Sequence, residues 1–428
     1  MNGSCAARKV SGLHIRRLFN RFSSDTDGRS FSAVHSERRL ATPSVFSKYY
    51  FHPFITSQPM TASTRLQALI DSLAPTRVPG LTLAVGNRDG LVWEGAAGYA
   101  DIVSQTPADP ACVLGVGSIT KVLVAVLVLQ LVEEKRLGLD HTLNPYLSTT
   151  VLAGIANADV TTVGQLLSHH SGIASWEEDA RWIRDARGER ITPGKQWASV
   201  EPLNYIRGAS PDHDVGTRFH YSNTHYTLLG LLIEAVTAKP FEQVLAERIL
   251  GPFNMTSTYL ERADAQRPPR LCTRYHGATD TFIEAAGIAP SFRQIQPGWL
   301  EVSSSNLSVE WAAGGVVSSA SDIVRFMTAL RDGRLLGREL LQQMLTWRPA
   351  HNGTQMGLGI FRAATPHGAV IGHGGNVLGF SATTWWFEEI DCVLALLTNL
   401  GSMHAGPQAW SASRLFEDTV LGRQAQAL

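Results

Sequence analysis

A lysine stands at the start of the most apolar stretch of the chain. This stretch is residues 122–132, in which only Gln130 is polar, and the tetrapeptide before it, residues 118–121, reads SITK. The stretch is shorter than the roughly 20 apolar residues that a membrane-spanning helix needs, so it predicts a helix in the core of a folded domain. Burying the Lys121 ammonium group there is costly unless it is paired or loses its proton.

Ser118 and Lys121 are three residues apart, so on a helix they share one face. A desolvated lysine gives up its proton more readily, and the neutral amine can then accept the proton of the serine hydroxyl. The pair predicts a nucleophile beside a general base. The backbone N–H of Ser118, close to a helix N-terminus, is then a candidate oxyanion donor. The competing interpretation is an N-cap serine followed by a surface lysine.

A second motif, residues 221–223, reads YSN and precedes an apolar helical stretch. A tyrosine near a serine–lysine pair could relay a proton to a leaving group. The side-chain amide of Asn223 could bind a substrate carbonyl. The alternative is that Asn223 caps the helix and Tyr221 only packs.

A third motif, residues 373–375, reads HGG and ends an apolar strand. Gly374 and Gly375 would let a substrate approach the backbone closely, and the N–H of Asn376 could be a second oxyanion donor. His373 could stabilise or bind substrate anions near neutral pH. The alternative is a glycine-rich hairpin.

Hydrophobic periodicity divides the chain into three kinds of segment. After residue 60 come a helix, a β-hairpin and the SITK helix; short helical patterns with long polar loops follow; strands return near the end. This order predicts one α/β domain made from both chain ends, with a site in the cleft beside a mostly helical domain. Residues 1–60 are predicted to be a basic, disordered arm. The α/β domain is predicted at 61–140 and 310–428, and the mostly helical domain at 141–309.

Individual elements follow from the same patterns. They are a helix at 63–75, a hairpin turn at 87–90, a helix from SITK to about residue 135, two helices within 320–345, strands within 357–399 and a final helix at about 407–421. Few strands are expected between residues 140 and 290.

The order and spacing of the three motifs are more specific than any one of them. Together with LLSHHSGI at 166–173 and GHGGNVLGF at 372–380, they make residues 63–421 resemble the serine β-lactamase and penicillin-recognising hydrolase superfamily. The resemblance is to its class C-like branch, which includes D-aminopeptidases, family VIII carboxylesterases and transacylases. It implies the β-lactamase/transpeptidase-like fold, an α/β arrangement with an antiparallel sheet flanked by helices, and no cofactor.

The resemblance also implies roles for the matching residues. Ser118 would be the acylated nucleophile, and Lys121 and Tyr221 would share the general-base and proton-relay work. Asn223 would orient the substrate, together with the strand residues His373, Gly374 and Gly375. The backbone N–H groups of Ser118 and Asn376 would form the oxyanion hole.

The third motif departs from the family pattern. It reads His-Gly-Gly where Lys-Thr-Gly is common, and so lacks a lysine and a hydroxyl that would anchor a substrate carboxylate. This favours a hydrolase or acyltransferase of esters or amides over the alternative, a D,D-peptidase or β-lactamase acting on penicillins or D-amino-acid amides. A non-catalytic binding protein on the same fold is the remaining alternative.

The amino-acid composition limits the classes of partner that the protein is expected to bind. The formal net charge is zero, so neither a nucleic acid nor an anionic membrane surface is expected, and the partner is a small-molecule substrate. The four cysteines lie far apart and the histidines have no metal-ligand spacing, so neither a disulfide framework nor a metal site is predicted. Residues 1–60 carry nine basic and three acidic residues, an acid-poor composition that could be a targeting segment. A cytoplasmic location is otherwise expected, and the oligomeric state is left open.

Overall fold

The computed structural model describes residues 61–262 and 270–419. The chain divides into two units, Met1–Leu66 and Gln67–Leu428. Of the first unit, only residues 61–66 at the start of the first helix are described, and the predicted basic arm at 1–60 lies outside the described residues. The architecture that follows is that of the second unit.

Helices are spread along the whole described chain. In chain order they are α1 (Ala62–Asp71), α2 (Thr120–Glu133), α3 (Thr149–Leu152), α4 (Val163–Leu167), α5 (Ala180–Arg187), α6 (Asn223–Thr237), α7 (Phe241–Leu245), α8 (Asp280–Ala286), α9 (Trp311–Gly314), α10 (Ala320–Arg331), α11 (Arg338–Met344) and α12 (Ala412–Thr419). Short 3₁₀ turns occur at Gly117–Ile119, Trp176–Glu178, Glu201–Tyr205 and His351–Gly353, and a π-helical turn at Ala246–Leu250. Within the described ranges, no helix has the length and apolar composition required to cross a bilayer.

The longest strands lie near the two ends of the described chain, and short ones also lie between Tyr259 and Ser318. In chain order they are β1 (Gly80–Asn87), β2 (Gly90–Asp101), β3 (Thr106–Pro107), β4 (Leu114–Gly115), β5 (Tyr259–Leu260), β6 (Tyr275–Gly277), β7 (Arg293–Gln296), β8 (Trp299–Glu301), β9 (Val316–Ser318), β10 (Arg348–Pro349), β11 (Gln355–Met356), β12 (Phe361–Thr365), β13 (Gly368–Val377), β14 (Phe380–Phe387), β15 (Val393–Thr398) and β16 (Leu400–Gly401).

The main sheet joins both ends of the chain. Its strand order is β10-β11-β12-β13-β14-β15-β1-β2-β3, and neighbouring strands are antiparallel. The strand β1 is buried along its whole length and pairs with β2 on one side and β15 on the other. The predicted hairpin and the predicted antiparallel sheet with flanking helices are therefore confirmed.

The helix α2 forms the centre of the core. It is apolar on every face, which is the pattern of a buried helix, and its residues from Thr120 to Leu129 are all buried. It packs against α6 and α9, while strand β13 packs against the 3₁₀ turn Gly117–Ile119 just before it. This arrangement brings the three sequence motifs to one place.

The segment between β4 and β9 contains more strand than the sequence predicts. The strands β6, β7 and β8 form a small sheet with β16, and β5 pairs with β9 in another sheet. The division into an α/β domain and a mostly helical domain, with boundaries at residues 140 and 310, stays a prediction.

Candidate active site

Two glycines allow the turn that carries Ser118 to contact strand β13. Gly117 has a left-handed φ of +52°, and a Cβ at this position would lie 2.6 Å from the backbone nitrogen of Asn376. A Cβ on Gly375 would lie 1.9 Å from the carbonyl oxygen of Val116. Neither position has room for a side chain, so glycine is needed for the approach of the protein's own backbone rather than only for a substrate. The contact places the turn of Ser118 beside Asn376, and their joint role as an oxyanion hole stays a prediction.

The Lys121 amine lies inside the protein within hydrogen-bond distance of three oxygen atoms. Its Nζ is 3.0 Å from Ser118 Oγ, 2.6 Å from Asn223 Oδ1 and 2.7 Å from the carbonyl oxygen of Ala313. The lysine is fully buried. Ser118 lies in the 3₁₀ turn and Lys121 in the first turn of α2, so the predicted contact between the two side chains is present.

The contacts of Lys121 suit a neutral amine. Burial lowers the pKa of Lys121 to about 7, against the raising influence of the Glu177 and Glu310 carboxylates. A neutral amine has two N–H donors and one lone pair, and the amide and carbonyl oxygens beside it can only accept. As an ammonium group, Lys121 donates to all three oxygens. In the neutral form the amide and carbonyl oxygens take the two N–H groups, and the lone pair is free to accept from the Ser118 hydroxyl. The roles of Lys121 as general base and Ser118 as nucleophile stay a prediction.

Tyr221 lies on the other side of the nucleophile. Its side chain is hydrogen-bonded to Ser118, and burial raises the pKa of Tyr221 well above its usual value. The Lys121 Nζ lies 4.9 Å from the centre of the Tyr221 ring. A phenol that keeps its proton at neutral pH can act as a proton donor, so the pKa of Tyr221 suits an acid and the pKa of Lys121 suits a base, while the roles themselves stay a prediction.

A cavity of about 670 Å³ opens in front of the nucleophile. Six of the predicted site residues line it: Ser118, Tyr221, His373, Gly374, Gly375 and Asn376. The other two, Lys121 and Asn223, lie behind this surface and are buried. The Asn223 amide oxygen is bound to Lys121, and its predicted contact with a substrate carbonyl stays a prediction.

His373 is buried in the cavity wall in its neutral form. Burial lowers the pKa of His373 to about 3. Its Nδ1–H donates to the carbonyl oxygen of Gly374, and among the described residues its buried Nε2 has no hydrogen-bond partner. A neutral imidazole with a free lone pair accepts from an N–H or O–H group and carries no charge that would attract an anion. Substrate binding by His373 stays a prediction, but the expected substrate group is now an N–H or O–H donor rather than an anion.

The cavity is lined by carboxylates that the sequence analysis did not single out. Glu177, Glu178 and Glu417 line it, and no lysine or arginine does so among the described residues. Burial raises the pKa of Glu177 to about 7, and the Glu310 carboxylate adds to this rise. Glu177 lies in the 3₁₀ turn Trp176–Glu178, just beyond the LLSHHSGI phrase, and no spacing rule marked it.

A buried ion pair supports the wall behind Lys121. The guanidinium of Arg187, at the end of α5, donates to the carboxylate of Glu310, and both side chains are at most 3% exposed. Glu310 immediately precedes α9, the short helix that presents the Ala313 carbonyl to Lys121. The pair therefore holds one of the oxygens that orient the amine.

Histidines near the site do not form a metal centre. Within the described residues, no group of three or more histidine, cysteine, aspartate and glutamate side chains could hold a metal ion. His169 and His225 are hydrogen-bonded to each other through their Nδ1 atoms at 2.9 Å.

The sequence model of the Beta-lactamase family matches residues 66–416. The chain belongs to this family, as its motifs indicated, and its fold is that of a serine hydrolase.

Relatives and solved structures agree with this assignment. Protein flp of Staphylococcus aureus (strain NCTC 8325 / PS 47) is 26% identical over 187 residues, which are 44% of this chain and 36% of flp, so the match spans about a third of that relative. A D-stereospecific amidohydrolase from Streptomyces sp. has a similar structure, with a TM-score of 0.70, 25% identity, and coverage of 85% of this chain and 100% of the other. The D-amino acid amidase from Ochrobactrum anthropi SV3, complexed with D-phenylalanine, has a TM-score of 0.71, 25% identity, and coverage of 84% and 97%.

Activity is expected to depend on pH through Lys121. The pKa of this amine is about 7, so the neutral fraction, and with it kcat/KM for an uncharged ester, should rise with pH and level off roughly one pH unit above that value. Burial places the pKa of His373 at about 3, and the pKa of Tyr221 is raised well above its usual value, so neither ionises in this window. A kcat/KM profile from about pH 5 to pH 9 checks this. Burial also raises the pKa of Glu177 to about 7, so the same profile is recorded for Glu177→Gln, in which only the rise due to Lys121 remains. A profile that falls with rising pH would contradict a neutral lysine as the base.

Proposed function

We propose that this protein is a serine hydrolase or acyltransferase that acts on a small ester or amide through an acyl-enzyme on Ser118. The observation that carries the proposal is the set of contacts around Lys121 Nζ. Two permanent acceptors fix the amine, and its third contact is the nucleophile. Such a lysine has the position, burial and pKa that a general base requires.

The reaction follows from these positions. Neutral Lys121 takes the hydroxyl proton of Ser118 as Oγ attacks the substrate carbonyl. The negative charge on the carbonyl oxygen is stabilised by the backbone N–H groups of Ser118 and Asn376. The Tyr221 phenol gives a proton to the departing alcohol or amine and is reprotonated from Lys121. Water, or a second alcohol or amine, then takes the acyl group from Ser118.

The charges of the cavity favour a substrate that carries an amine. Three glutamates line the cavity without a lysine or arginine among its described lining residues. A substrate ammonium beside Glu177 would favour the ionised carboxylate and form a charge-assisted hydrogen bond with it. Two structural neighbours of this chain carry names that point the same way, a D-stereospecific amidohydrolase and a D-amino acid amidase. We therefore propose amides or esters of amino acids as the preferred acyl donors.

The alternative is a D,D-peptidase or β-lactamase acting on penicillins or D-amino-acid amides. The D-amino-acid amides of this alternative fit the acyl donors proposed above, whereas penicillins find less support. Such substrates present a carboxylate, and the wall that would receive it holds a neutral His373 and nearby glutamates. Like charges in a confined cavity oppose binding.

The proposal is tested with a substrate panel. Purified protein is incubated with p-nitrophenyl esters, with the amides of D- and L-phenylalanine and with nitrocefin, while turnover and intact mass are recorded. Turnover together with an acyl mass that maps to Ser118, absent in Ser118→Ala, supports the proposal. An acyl mass that disappears only when an amine or alcohol is added indicates acyl transfer. Turnover that persists in Ser118→Ala would overturn the mechanism, and no reaction with any probe would favour a non-catalytic binding protein.

The amine preference gives a separate expectation for Glu177→Gln. Loss of the charged partner should raise KM for phenylalanine amide about 10- to 100-fold. p-Nitrophenyl acetate has no amine, so its KM should change much less. The change measured with this ester also shows how much of the effect of Glu177→Gln acts through Lys121 rather than through the substrate amine. Glu284→Gln, on the exposed face of α8, is the matched control. Equal changes for both substrates would contradict an amine subsite at Glu177.

The expected cytoplasmic location stays a prediction. Comparing where the full chain and a chain that begins at Met60 are found in the cell tests it, together with the targeting role of the basic arm.

A further inference from the structure

The loop that carries Tyr221 depends on a histidine from elsewhere in the chain. Tyr221 lies just before α6, outside any helix or strand. The backbone N–H of His220 donates to the carbonyl oxygen of His169 at 2.9 Å, and the N–H of Ser222 donates to His169 Nδ1 at 3.2 Å. Between these two bonds, the imidazole of His169 stacks on the Tyr221 ring with 4.3 Å between centroids and 29° between planes. One residue thus contacts three consecutive residues of the loop.

The hydrogen bonds around His169 define its protonation. Its Nδ1 accepts from Ser222, so the Nδ1 of His225, 2.9 Å away, is the donor in the contact between the two rings. The Nε2 of His225 then accepts from the hydroxyl of Ser171, which in turn accepts from the N–H of Ile173. His169 is therefore a neutral imidazole with its proton on Nε2.

Burial and nearby groups keep this form. His169 is fully buried. Burial lowers its pKa well below the ordinary value, and His225 and Lys121 lower it further. A second proton on His169 would have to occupy Nδ1, the atom that accepts from Ser222, and would put a positive charge near the Lys121 amine. In its neutral form, His169 keeps Nδ1 as an acceptor for Ser222 and puts no positive charge near the Lys121 amine.

We propose that His169 is a positioning residue for Tyr221, holding the phenol at Ser118 by ring stacking and by hydrogen bonds to the residues on both sides of it. The proposal rests on the proposed function, because it assigns Tyr221 to proton transfer. His169 itself acts only through Tyr221. A backbone φ of +59° at His169 is consistent with a constrained position, since few residues other than glycine, asparagine, aspartate and histidine adopt it readily.

The test is a double-mutant cycle between His169 and Tyr221. His169→Asn removes the ring, while asparagine tolerates the left-handed backbone and offers an amide oxygen to Ser222. Tyr221→Phe removes only the phenol hydroxyl. With D- or L-phenylalanine amide, whichever is turned over faster, His169→Asn should lower kcat about 10- to 100-fold with little change in KM, because the amine leaving group needs a proton and a displaced proton donor affects the transition state more than binding. In the Tyr221→Phe background the same substitution should have almost no further effect.

Controls separate this role from a purely structural one. His170→Asn changes the neighbouring ring, which contacts Phe219 and not Tyr221, and should leave kcat within about threefold of the native value. If His169→Asn does not fold, as judged by thermal unfolding, His169→Gly, which also tolerates the left-handed backbone and removes the ring, enters the same cycle. If Tyr221→Phe turns over too slowly, the single-turnover rate of phenylalanine release from the amide, with protein in excess, replaces kcat.

Each outcome decides the proposal. Loss of activity in the native background that vanishes in Tyr221→Phe supports it. Equal losses in both backgrounds, or no loss in either, would overturn it. The proposed function fails differently, since the native protein and Ser118→Ala would then give the same signal before any His169 variant is compared.

Discussion

Replacing Lys121 with methionine is expected to lower kcat/KM about 10²- to 10⁴-fold, the usual contribution of a positioned general base. Methionine has a similar length and no charge, so it fills the buried position without a group that needs solvation. It leaves Asn223 Oδ1 and the Ala313 carbonyl without their donor, so a modest loss of stability should accompany the loss of activity. Steady-state kinetics with a p-nitrophenyl ester and thermal unfolding measure the two effects separately.

Lys135→Met is the matched control for this prediction. Lys135 is exposed just after the end of α2, so Lys135→Met makes the same side-chain replacement without touching the site. Its kcat/KM should stay within about threefold of the native value. If Lys121→Met retained most of the activity while folding normally, the base would have to be another group, and Tyr221 would be the first candidate.

The second large effect is expected on stability. Arg187→Met should lower the free energy of unfolding by about 3–5 kcal/mol, because it leaves the Glu310 carboxylate buried without its cation. Urea unfolding at about pH 7 measures the change. Activity should fall as well, since Glu310 precedes the helix that presents the Ala313 carbonyl to Lys121.

Two further variants show whether the loss of stability comes from the buried, unpaired charge or from the loss of an ion pair as such. Arg181→Met breaks an ion pair with Asp179, the residue that caps the same helix, but Arg181 is 64% exposed, so the cost should be about 0–1 kcal/mol. Arg187→Met combined with Glu310→Met removes both buried charges and should recover part of the lost stability. If Arg187→Met costs no more than Arg181→Met, the buried pair does not stabilise the fold.

The elements that the sequence predicted are those with strong local patterns. The helix α2, the β1–β2 hairpin, the strands β12–β15 and the helix α12 each have a periodic or continuous apolar pattern long enough to recognise. The contact between Ser118 and Lys121 was likewise predictable, because a spacing of three residues at a helix start leaves little freedom. These features depend on neighbours close in the chain.

The features that were missed depend on partners far away in the chain. The strand β5 is two residues long and becomes a strand only by pairing with β9, and β6 pairs with β16 in the same way. The Ala313 carbonyl is a backbone atom, so no residue type marks it as a partner of Lys121. Glu177 resembles many other surface glutamates until the fold buries it in the cavity wall. The close packing at Gly375 could not be predicted from the sequence either, since the Val116 carbonyl beside it belongs to a distant segment of the chain, just before the turn of Ser118.

The position of β1 in the main sheet has a consequence for synthesis. This strand leaves the ribosome long before one of its two partners, β15, which begins at Val393. Until that later segment emerges, one edge of a strand that the folded protein buries along its whole length lacks its partner, and such edges promote association with other chains. Strand β13 (Gly368–Val377), which contacts the turn of Ser118, is also made long after that turn. A nascent chain therefore contains Ser118 early, but the proposed site around it can form only after β13 has been made.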